Sequence, residues 1–218
     1  MKRKIKYIYT ILISLLLSSC FYKTTDCNHL INNIIFIDPG HGGIDNGTSY
    51  NEILEDEINL KLSLILYEII LDYGGLCFIT RNDDYDLSSH YSKNHKLDDL
   101  NKRIKYIDSL NTTLFVSLHL NYFPNSSVNG IQVFYQSHNN QSKILAEILQ
   151  KNLNTFNQKD KKIKNENIYI LKNSKSTGVL VEYGFLSNKS DREKLLNEKY
   201  LYKLALIIKD SIIEYLSL

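Results

Sequence analysis

Two histidines and a carboxylate stand at the ends of short apolar runs, where a fold can bring them together. His41 follows Ile34-Ile35-Phe36-Ile37 within Asp38-Pro39-Gly40-His41-Gly42-Gly43, and His119 follows Leu114-Phe115-Val116 within Ser117-Leu118-His119-Leu120-Asn121. Glu182 closes Val179-Leu180-Val181 and opens Tyr183-Gly184-Phe185. Neutral imidazoles are common metal ligands, and glycines around His41 let the backbone approach closely. Two such histidines at equivalent places point to a metal. Zinc at a catalytic site takes about three protein ligands and leaves a position for water. A third ligand is expected from Glu52-Ile53-Leu54-Glu55-Asp56-Glu57. Acids there also suit a helix N-terminus, so spacing alone does not choose among Glu52, Glu55, Asp56 and Glu57.

Residues this far apart in the chain need elements that converge. The Ile34 to Ile37 run, bounded by Asp38-Pro39-Gly40, has the pattern of a strand buried on both faces. Asn59 to Tyr73 reads as a helix stopped by Gly74-Gly75, Leu76 to Thr80 as a strand, and Leu97 to Leu110 as an amphipathic helix. Strands follow at Leu114 to Leu118 and, after Asn129-Gly130, at Ile131 to Tyr135. Ser142 to Leu153 is helical in pattern, Ile168 to Leu171 and Val179 to Val181 read as short strands, and Lys199 to Tyr215 closes the chain as a helix. This alternation predicts a single α/β domain, layered, with a mainly parallel twisted sheet flanked by helices. Sites in such sheets form at the carboxyl ends of the strands, where His41, His119 and Glu182 fall.

A length of 218 residues, 43% hydrophobic and 23% charged, suits one folded domain and excludes a disordered chain. Three cysteines exclude a disulfide scaffold, and without a CxxC pair the donors for a metal are His and carboxylates. The formal charge is +2, but Lys2, Arg3, Lys4 and Lys6 lie in a segment without acids, and the rest of the chain is mildly acidic. No nucleic-acid footprint follows from that balance. Lys159 to Asn167, reading KDKKIKNEN, is the most charged stretch and reads as a solvated loop or a frayed helix end.

The basic start and the apolar run from Tyr7 to Leu17 form a secretory signal, too short for a typical membrane span. It ends Leu17-Ser18-Ser19-Cys20, which resembles a bacterial lipobox. The expectation is a lipoprotein signal over residues 1–19, lipidation at Cys20, a polar tether over 20–33 and a catalytic domain over 34–218. That places the domain in the cell envelope, outside the cytoplasmic membrane, anchored to it by lipid. Cys77 is expected to be free and packed rather than paired with Cys27.

Taken in order, Ile37-Asp38-Pro39-Gly40-His41-Gly42-Gly43, Glu55-Asp56-Glu57-Ile58-Asn59-Leu60, Thr80-Arg81, Ser117-Leu118-His119-Leu120-Asn121, Gly130-Ile131-Gln132-Val133-Phe134-Tyr135 and Val181-Glu182-Tyr183-Gly184-Phe185-Leu186-Ser187-Asn188 resemble the zinc-dependent N-acetylmuramoyl-L-alanine amidases of the type 3 family. The resemblance spans residues 34 to 216 and looks nearest to single-domain spore-cortex and lytic members. It implies Zn2+ held by His41, Glu55 and His119, with Glu182 as the catalytic acid and base. It implies hydrolysis of the amide between N-acetylmuramic acid and L-alanine in peptidoglycan, the expected partner.

Beside this reading, Arg81, Arg103 and Asn121 are candidates for substrate binding, the two arginines equally for structural ion pairs. Asp38 is placed to shape the first ligand loop or to cap a turn, and Tyr122 to stack on sugar. Some cell-division members insert a helix that blocks the metal. The short Gln136 to Gln141 connection leaves no room for one, so no obligatory activator is expected, and a monomer is. The alternatives are a non-catalytic peptidoglycan-binding lipoprotein that keeps the fold, and a zinc peptidase, for which the HExxH pattern is absent.

Overall fold

The β-branched runs become a central sheet in the computed structural model, which describes residues 30–218. The signal segment, Cys20, Cys27, His29 and most of the tether lie outside the described residues. The strands are β1 (Ile34–Pro39), β4 (Leu76–Ile79), β5 (Leu114–Asn121), β6 (Gln132–Tyr135) and β7 (Gly178–Phe185). Their order is β4-β1-β5-β7-β6, with β4, β1, β5 and β7 parallel and β6 antiparallel to β7. The mainly parallel α/β sheet expected from the alternation is therefore present.

Helix α1 (Glu55–Asp72), α3 (Asn140–Asn157) and α6 (Glu198–Leu216) cover one face, where Ile35, Ile37, Val116, Leu118, Val179 and Val181 join the larger core. Helix α2 (His95–Ile107) and the short α4 (Tyr169–Asn173) cover the other, over Phe36, Phe115, Phe134 and Leu180. Asparagine side chains cap α2 (Asn94), α3 (Asn139), α5 (Lys189–Leu195, Asn188) and α6 (Asn197), each accepting from the first turn.

The structure corrects several boundaries. Ile168 to Leu171 is not a strand; Tyr169–Asn173 forms α4, and Ile170 and Leu171 fill the smaller core. The sheet edge beside β6 is taken instead by the chain at Lys164, which bridges Phe134. A short apolar run has no periodicity to separate the two states, so the free edge decides. Helix α1 begins at Glu55, four residues earlier than the apolar pattern predicts, because acids occupy its first turn, where the helix dipole favours them. A short hairpin precedes it, β2 (Ser49–Tyr50) paired with β3 (Ile53–Leu54), and Glu52 lies exposed in its turn. Strands β5 and β7 run further than their apolar cores, so His119 and Glu182 lie inside strands. Leu30, assigned to the tether, is fully buried in the larger core. Cys77 is buried and, among the described residues, free. Among the described residues no helix is long and apolar enough to cross a membrane.

Candidate active site

Strand β1 ends at Pro39, and the glycine-rich turn that follows carries His41 back over the sheet with φ at 63°, a left-handed conformation costly for a residue with a Cβ. The strain is held by Arg103, whose guanidinium donates to the carbonyls of His41 and Pro39, both at 2.6 Å. Gly40 has no alternative: a Cβ there would stand 2.2 Å from the His119 ring. Gly47, with φ at 68°, leaves equivalent room beside the Glu55 carboxylate and the His41 ring.

Glu55 reaches this loop from the N-terminus of α1 through a reciprocal clasp. Its backbone N–H donates to Thr48 O at 3.0 Å, and Thr48 N–H donates to Glu55 Oε2 at 2.8 Å. Its other oxygen, Oε1, lies 3.3 Å from His41 Nε2 and 3.2 Å from His119 Nδ1. Leu120 N–H and the Asn59 amide also face Oε1, at 3.0 and 3.4 Å. Burial opposes ionisation of Glu55, but the hydrogen bonds from His119 and His41 outweigh it and hold the carboxyl well below its ordinary range.

One donor atom from each of His41, Glu55 and His119 lies within 4.8 Å of the others. Two donors bound tetrahedrally at ~2.1 Å sit roughly 3.4 Å apart, so the observed 3.2 and 3.3 Å spacings suit a zinc-sized ion. Asp45 Oδ2 faces His41 Nδ1 at 3.1 Å, and a metal would take the place of the Nε2 proton that meets Glu55 here. Beside this cluster, Glu182 receives a short hydrogen bond from the Asn121 amide. Burial pushes the Glu182 carboxyl up to about 7, with the Asn121 amide drawing it partly back.

A groove of about 510 Å³ opens from Glu182 past Asn121, Phe123 and Phe134. The family model for N-acetylmuramoyl-L-alanine amidase matches residues 35–214. This chain belongs to the N-acetylmuramoyl-L-alanine amidase family. It is 34% identical over 193 residues to the germination-specific N-acetylmuramoyl-L-alanine amidase of Bacillus subtilis, covering 85% of this chain and 81% of that protein. It is 35% identical to the N-acetylmuramoyl-L-alanine amidase LytC of the same organism, over 86% of this chain and 36% of LytC. Among solved structures, the CwlD amidase from Clostridioides difficile, in complex with the GerS lipoprotein, superposes with a TM-score of 0.82 at 36% identity, covering 85% of this chain and 99% of CwlD.

Within this amidase, Arg81 and Arg103 take the structural one of the two roles expected of them. Arg81 and Arg103 are buried. Arg81 donates to the main-chain carbonyls of Pro39, Gly40, Asp56 and Asp83, at 2.8 to 3.2 Å. Arg103 pairs with Asp38 at 2.8 Å and with Asp99 at 2.7 Å. Their N–H groups are spent on holding the His41 loop, and neither meets the groove. Asp38 does not cap a turn: it also accepts from Thr80 and Ser117, both at 2.6 Å, and so joins β1, β4, β5 and α2. Asn121 lines the groove, with its amide committed to Glu182. Tyr122 is half exposed at the end of β5.

Three residues of the amidase site escaped the sequence reading. Asp45, four residues after His41, carried no signal beyond that spacing. Asn59 donates to Gly40 O at 3.2 Å as well as to Glu55, and accepts from the buried Tyr183 hydroxyl at 2.7 Å. Both stood in blocks quoted for the resemblance, Asn59 before Leu60 and Tyr183 after Glu182, yet only the tertiary contact gives them work.

Proposed function

We propose that this amidase hydrolyses the amide between the lactyl group of N-acetylmuramic acid and L-alanine in peptidoglycan, with His41, Glu55 and His119 holding zinc and Glu182 moving the proton. The observation that carries the reading is the cluster of three donor atoms within 4.8 Å, with Glu182 in register beside His119 on the next strand. A zinc ion bound there supplies Lewis acidity toward a carbonyl and acidifies water toward neutrality.

The chain's own groups supply the rest. Glu182 Oε2 is oriented by Asn121, so the free edge of the carboxylate takes the proton of an attacking water and hands it to the departing alanine amine. An amine leaves poorly unless protonated, and a carboxyl raised to about 7 both accepts and returns a proton near neutral pH. The groove beside Glu182 seats the substrate on either side of the scissile bond. Thr48 N–H, Leu120 N–H and the Asn59 amide hold the Glu55 carboxylate still, and the buried arginines keep His41 facing it.

The domain acts outside the cytoplasm on this reading, where peptidoglycan lies, with Cys20 as the lipid attachment point and the monomer as the working form. Residues 136–139 alone connect β6 to α3, which leaves no helix at that connection to cover the cluster.

The deciding test is product mass after incubation of the protein with muropeptides, with and without a chelator. An intact stem peptide with a free alanine amine, lost on chelation, supports the amidase. Internal peptide fragments would indicate a peptidase, and unchanged muropeptides a non-catalytic wall binder.

A further inference from the structure

The lysine-rich segment that reads as a solvated loop is fixed against the sheet as a wall of the groove. Lys164 N–H donates to Val133 O and Tyr135 N–H donates to Lys164 O, both at 3.0 Å. The Gln132 amide donates to Lys162 O at 2.6 Å, and Asn154 bonds both backbone groups of Lys161, at 3.2 and 2.8 Å. An unpaired, floppy loop would hold no side chain in a set direction; this one presents Lys161, Lys162 and Lys164 to the groove that contains Glu182.

Two of these ammonium groups are placed to take a ligand. Lys161 is half-buried, its Nζ 4.9 Å from the centre of the Phe185 ring and 3.3 Å from Gly130 O. An ammonium has three N–H donors, so the Gly130 contact positions it without exhausting it. Lys164 meets Glu166 only at 3.9 Å, and both side chains are more than half exposed. Such a pair contributes little and exchanges readily for another anion. The acids lining the groove are Glu166 and Glu182, fewer than its lysines.

We propose, building on the amidase reading above, that Lys161 and Lys164 form an anion subsite that binds free carboxylates of the substrate peptide and so discriminates against the same peptide with those carboxylates amidated. An ionised carboxylate offers only acceptors and a full charge to an ammonium. A carboxamide offers half the acceptors, no charge and an NH2 that faces the lysines donor to donor. Discrimination thus comes from both attraction and mismatch.

The test pairs two synthetic N-acetylmuramoyl peptides that differ only in free or amidated side-chain and terminal carboxylates. The zinc-loaded full chain is expected to show about tenfold higher kcat/KM on the free acid, the size of one partly exposed charge-assisted contact. K161Q and K164Q should each erode that preference through KM with kcat retained, and the double variant should abolish it. K161M, which keeps the contact with Phe185, should behave as K161Q does. Calorimetric binding of both peptides to E182Q reads the subsite without turnover, and the free acid should again bind about tenfold tighter. Equal binding of the two peptides to E182Q, or a preference that survives K161Q/K164Q, overturns the subsite. Cleavage of neither peptide by the unmodified protein overturns the amidase reading instead, while the binding measurement still decides the subsite.

Discussion

His119 and Glu182 are register partners on the adjacent parallel strands β5 and β7. Facing residues in neighbouring strands leave the same face of a sheet, with the strands roughly 4.8 Å apart. The proposed metal ligand and the proposed proton carrier are thereby held by backbone hydrogen bonds rather than by loops. Asn121, two residues along β5, shares that face and orients the Glu182 carboxylate.

Glu182→Gln should therefore abolish cleavage and little else. The amide keeps the shape and the Asn121 contact in reach but cannot take a proton. A loss of about 10²- to 10⁴-fold in turnover is expected, with zinc stoichiometry and melting temperature unchanged. Muropeptide release at the unmodified rate would refute the role assigned to Glu182.

Asp45→Ala should weaken metal binding without unfolding the protein. Asp45 is partly exposed and faces His41 Nδ1, so its loss frees the ring to turn and change tautomer. Zinc affinity measured by chelator competition should fall about 10- to 100-fold. An unchanged affinity would show that the glycine loop alone sets the ring.

Gly40→Ala tests the close approach of backbone to imidazole. The added Cβ would stand 2.2 to 2.5 Å from three atoms of the His119 ring, which must swing away. Displacing a reacting group by about 1 Å can cost on the order of 10²-fold in rate. Bound zinc and kcat/KM should fall together, and full zinc occupancy in the variant would contradict the geometry.

Removing Arg103 should cost stability before chemistry. Arg103→Met leaves Asp38 buried and without its cation, a loss of about 3–5 kcal/mol by denaturant titration. Asp38→Asn adds a pH signature. Burial raises the Asp38 carboxyl, but Arg103 with Ser117 and Thr80 outweighs it, and the net shift is below the ordinary 3.8. A carboxyl depressed on folding stabilises the native state above that value and loses the contribution as pH falls through the folded one. The stability gap between the unmodified protein and Asp38→Asn should thus be widest near neutrality and close below about pH 4. A gap independent of pH would mean that Asp38 is not ionised in the fold.

By itself, the sequence determined the layered α/β class, the parallel strands and the three places where chemistry gathers. Apolar runs of fixed length and the glycines around His41 are local signals, and local physics reads them. Spacing narrowed the third ligand only to an acidic stretch, because four acids near a helix start satisfy the same dipole, and within it the family resemblance singled out Glu55. The tertiary structure sets Glu55 apart: it is clasped by Thr48 and met by two imidazoles, whereas Asp56 is buried outside that cluster and Glu52 sits in a hairpin turn. It also chose between the two roles open to Arg81 and Arg103, since burial and the carbonyls they meet depend on elements far away in the chain. The Lys159 to Asn167 stretch shows the same limit from the other side. Its charge pattern is that of a solvated loop, and only the unpaired edge of β6 and the Asn154 and Gln132 side chains turn it into a wall beside Glu182. Strand and helix identity follow from neighbours in sequence, whereas the use of a buried charge follows from neighbours in space.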